Sequence, residues 1–194
     1  MREIRKISGP LTPDSFSNSD FSNLDVGQKS PHKEEIDKVN IEWNTYEISY
    51  RPENPFGDST TTIESQLDVY PNIDLISIQG DSTRVIREII ECINSVMYDE
   101  ARILPNIGLS RNEIWELVES AELVVEVVHE DDLTTHEQTL QSLDKDKPIE
   151  KAVVHFTRED ERISVVYNKG HLWISANSDQ SYQSIIKNLI DIID

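Results

Sequence analysis

The sequence is poor in most of the features from which a function is usually read. Of 194 residues, one is cysteine, six are glycine and 18 are basic, against 37 acidic. The lone Cys92 cannot close an internal disulfide, and its place in the apolar phase of a helix reads as a buried structural thiol. No glycine-rich loop precedes a helix to cradle phosphate. Gln79-Gly-Asp-Ser82 has one glycine beside an acid and no lysine, so it reads as a turn and a helix cap. No apolar run approaches the roughly 20 residues that span a bilayer. Met1-Arg-Glu-Ile-Arg-Lys-Ile7 lacks the apolar region of a signal peptide. A soluble, cytoplasmic protein without a membrane partner is expected.

The shortage of basic residues leaves a net charge of −19. That charge opposes non-specific contact with phosphates and favours encounter with basic partners. Adaptation to a salty cytoplasm would produce the same acidity. Catalytic signatures are missing too. There is no Gly-x-Ser-x-Gly, and the one cluster of metal-ligand type is His129-Glu-Asp-Asp132 with His136. Its spacing matches no standard site, and a solvated acidic loop explains it. No enzyme, metal or cofactor is expected.

What the sequence does contain is a segment that occurs twice. Leu75-Ile-Ser-Ile-Gln-Gly-Asp-Ser82 and Trp173-Ile-Ser-Ala-Asn-Ser-Asp-Gln180 align without a gap. Each is a short apolar run, a polar turn with an Asp, then an amphipathic helix. The shared Asp81 and Asp179 suggest a capping role, and the self-similarity suggests two related halves.

Residues 1–38 read as a disordered tail: Ser15–Asp25 has many turn formers and few aliphatics, with Phe16, Phe21 and Leu24 as a candidate short docking motif. The first half, 39–104, has alternating strands over Asn40–Tyr50 and Thr60–Val69, then a strand at Asp74–Gln79. A helix capped by Asp81 or Ser82 follows, with Val85, Ile86, Ile89, Ile90, Ile93, Val96 and Met97 on one stripe. The second half, 105–194, opens at a Ser110/Glu113 capping box. Leu123–His129 is apolar on both faces and reads as an interior strand. Glu130–Pro148 reads as a loop. Strands at Ala152–Thr157, Arg162–Tyr167 and His171–Ala176 follow through hairpins, and a helix closes the chain with Tyr182, Ile185, Ile186, Leu189, Ile192 and Ile193 inward. The fold class expected is α+β: two related halves forming one curved antiparallel sheet with helices on one face.

The block Arg162-Ile-Ser-Val-Val-Tyr-Asn-Lys-Gly-His-Leu-Trp-Ile-Ser-Ala-Asn-Ser178 resembles the end of a repeat of the TATA-box binding protein. Tyr167 falls where that family has an intercalating Phe. Trp173 and Ser175 fall where its Val and Thr face DNA, and Leu75 and Ser77 hold the equivalent places in the first half. Asn106-Ile107 is similar to its Asn-x-Val strand. Glu150-Lys-Ala152 replaces its Phe-Pro-Gly, so one DNA-kinking wedge is missing. The resemblance implies a non-enzymatic binding module in transcription or DNA-linked regulation. Its sheet would meet a protein or DNA partner through Leu75, Ser77, Tyr167, Trp173 and Ser175. The charge suggests a second function: an acidic inhibitor of the immunity or antitoxin kind that occludes a basic protein such as a nuclease.

Overall fold

The structure, a computed structural model, describes residues 1–9, 23–36, 38–52, 61–97, 101–129 and 145–193. It is α+β, with antiparallel strand pairing and three helices among the described residues. The chain forms two compact units. The first comprises Arg2–Glu35 and Asn40–Pro105; the second comprises Asn106–Asp194 with Met1 and Ile36–Val39.

The first unit holds β1 (Arg2–Ser8), β2 (Leu24–Ile36), β3 (Val39–Tyr50), β4 (Ile63–Tyr70), β5 (Leu75–Gln79), α1 (Thr83–Val96) and the short β6 (Arg102–Ile103). Its strands lie in the order β2-β3-β4-β5-β1, with β6 also pairing β1. Alternation places Tyr46, Ile48, Leu67, Val69, Ile76 and Ile78 on one face, and α1 covers that face with Ile86, Ile89, Ile90 and Ile93. Cys92 is partly buried against this core. Ser82, not Asp81, caps α1: its Oγ accepts from the Val85 amide at 3.3 Å.

The tail expected over 1–38 is corrected for the described residues, which supply β1 and β2. Ile4 and Ile7 are buried, and so are Glu3 and Arg5, which pair at 2.6 Å. These two buried charges are tolerated because each is the other's partner. Leu24 sits in the core. Phe16 and Phe21 lie outside the described residues. β2 ends the strand order, a position that accommodates Pro31.

The second unit holds α2 (Arg111–Glu119), β7 (Leu123–His129), β8 (Ile149–Arg158), β9 (Glu161–Asn168), β10 (His171–Ser175) and α3 (Asp179–Ile193). Strand order is β10-β9-β8-β7. The Ser110/Glu113 capping box opens α2. The β8–β9 and β9–β10 turns each use two left-handed residues, Glu159 and Asp160 (φ 47° and 65°), then Lys169 and Gly170 (φ 50° and 86°). Ala152, Val154, Phe156, Ile163, Val165, Tyr167, Leu172 and Ile174 form one buried face. Ile114, Leu117 and Val118 of α2 and Tyr182, Ile185, Ile186 and Leu189 of α3 are buried with it.

The interior position expected for Leu123–His129 is corrected. β7 ends the strand order, with Leu123 and Val125 exposed at 46% and 38%. A β-bulge at Val125 breaks the pairing with β8. No helix among the described residues is long and apolar enough to cross a membrane.

Candidate functional site

In the second unit, the face opposite the buried one can be built row by row from strand register. Glu126 pairs with Val153, Val153 with Val166, and Val166 with Trp173. On one side of that row stand Leu123, His155, Ser164 and Ser175; on the other, Val128, Lys151, Asn168 and His171. Thr157 and Arg162 extend the face beyond His155 and Ser164. Paired residues share a face because antiparallel partners point the same way. Every one of these side chains is partly or fully exposed.

The centre of the face is apolar and aromatic. Trp173 stacks on His171 with ring centroids 5.4 Å apart at 18°. Trp173 Nε1 and His155 Nδ1 are hidden from solvent with no hydrogen-bond partner. Burial, and secondarily the Arg162 charge, holds His155 below the ordinary imidazole range, so it is neutral at pH 7. Glu126 is the single acid among these paired positions, and Lys151 Nζ lies 2.6 Å from its Oε2. In a chain of net charge −19, this face is locally close to neutral.

Of the five residues expected to carry a partner, Trp173 and Ser175 stand together on this face. Tyr167 does not. It pairs with Leu172 and Ala152, is buried on the helix side, and lines a cleft of about 450 Å³ with Asn106, Ile149 and Lys169. The charges of that cleft neutralise each other, with Lys169 Nζ 3.0 Å from Glu150 Oε1. Leu75 and Ser77 lie in the first unit on the face of β5 turned away from α1, and both are buried. The Ser77 Oγ has no hydrogen-bond partner.

Sequence reasoning missed Leu123, Val153, His155 and Val166 as parts of one surface. The alternation through 151–157 was available as a signal. What it does not show is which parity faces outward. The acidic cluster from Glu130 to His136 lies outside the described residues. His129 itself is buried beside Trp115, with Nδ1 3.3 Å from the Pro148 carbonyl oxygen. Among the described residues no group of three His, Cys, Asp or Glu could hold a metal ion. No known family model matches the chain, and no curated protein matches it.

Proposed function

We propose that this chain is a non-enzymatic, cytoplasmic binding protein of transcription or DNA-linked regulation, working through protein contact. Its contact surface is the face of the β7–β10 sheet opposite the one buried with α2 and α3. The observation that carries this reading is the composition of that face: Val153, Val166 and Trp173 in one row, exposed Leu123 beside it and a single, neutralised acid. Exposed apolar patches on folded chains mark interaction sites, and aromatic residues anchor them.

The resemblance to duplicated repeats of the TATA-box binding protein belongs to this proposal. In each unit a strand leads into a helix, and the aligned pairs Leu75/Ser77 and Trp173/Ser175 both face away from that helix. Tyr167, at the family's intercalating position, stands on the helix side, and the face offers only Arg162 and the already paired Lys151 to phosphates. Both points favour protein over DNA. The charge of −19 supports the second reading, an acidic inhibitor of a basic protein; its association rate would fall as salt rises.

The test places a photo-reactive residue at Ser175, or at exposed Arg84 on α1, in the cells that make the protein. A discrete protein adduct is expected from position 175, none from 84, and loss of the first with Trp173→Ala. Absence of any adduct from 175 would sink the reading. Sequence-dependent binding to short A·T-rich or G·C-rich duplexes that survives molar salt would identify DNA as the ligand instead.

A further inference from the structure

We draw no further inference here: the strongest candidate, the apolar edge strand β7 with its exposed Leu123 and Val125, borders the face already described, and nothing among the described residues shows what covers it.

Discussion

Glu161, the first residue of β9, accepts a 2.7 Å hydrogen bond from the Oγ of Ser181 in the first turn of α3. The same carboxylate accepts from the Ser178 hydroxyl at 2.8 Å and from the amides of Asn177 and Ser178. A strand residue thus does for α3 what a local side chain usually does. It satisfies orphan donors and places negative charge at the positive end of the helix dipole.

These hydrogen bonds, Ser181 foremost, hold the Glu161 carboxyl down to about 2 from an ordinary 4.5. A depressed folded-state value means the contribution is full above about 4.5 and is lost as pH falls through 2. Urea unfolding across pH 2–6 should therefore show wild-type stability declining below pH 4.5. Glu161→Gln should be less stable at pH 6 and show a shallower decline. Parallel curves would remove Glu161 as the acid-sensitive cap.

Asp68 of β4 is buried and accepts from Arg2 at 2.9 Å, Thr45 at 2.7 Å and Gln66 at 2.9 Å. Asp68→Ala breaks the buried Arg2–Asp68 ion pair, so it should cost about 3–5 kcal/mol. Asp68→Asn should cost less, because its amide oxygen still accepts. Denaturant titration of both variants checks the order.

Asn94 of α1 closes a two-way bridge to β6. Its Nδ2 donates to the Ile103 carbonyl at 3.0 Å, and its Oδ1 accepts from the Ile103 amide at 2.8 Å. Asn94→Ala should cost about 1–3 kcal/mol, the range for two net hydrogen bonds. Hydrogen exchange should speed up at the Ile103 amide. Unchanged protection there would show that β6 is held by its pairing with β1 alone.

Gly170 has φ +86°, and a Cβ there would lie 3.0 Å from the Asn106 Cβ. Gly170→Ala should destabilise by about 1–2 kcal/mol through backbone strain and this contact. Adding Asn106→Gly should recover the steric part and leave the backbone part. Thermal melts of the single and double variants separate the two.

Much of the local structure is legible along the chain. The stripe from Ile86 to Ile93 and the Ser110/Glu113 box encode α1 and the start of α2 within one or two turns. The three successive strands ending at Ser175 follow from alternation and short turns. β1 was hidden because its buried charges, Glu3 and Arg5, are compensated by a pairing at 2.6 Å that the chain order does not show. The aligned Asp81 and Asp179 suggested matching caps. The caps are Ser82 in one unit and, in the other, Ser178 with Glu161, which lies 17 residues before Ser178.

The candidate face divides the same way. Trp173 and Ser175 were legible as a pair, because residues two apart in a strand share a side. That Tyr167 turns inward beside Leu172 was not, because it depends on the register between β9 and β10. The sequence by itself determined the helices and the strands β3–β5 and β7–β10, since capping and periodicity act over a few residues. Only the tertiary structure decided that the apolar β7 ends the strand order, that a charged β1 is buried and that Trp173 faces outward. Those outcomes depend on which strands pair and which face a helix covers, and the contacts that settle them join residues far apart in the chain.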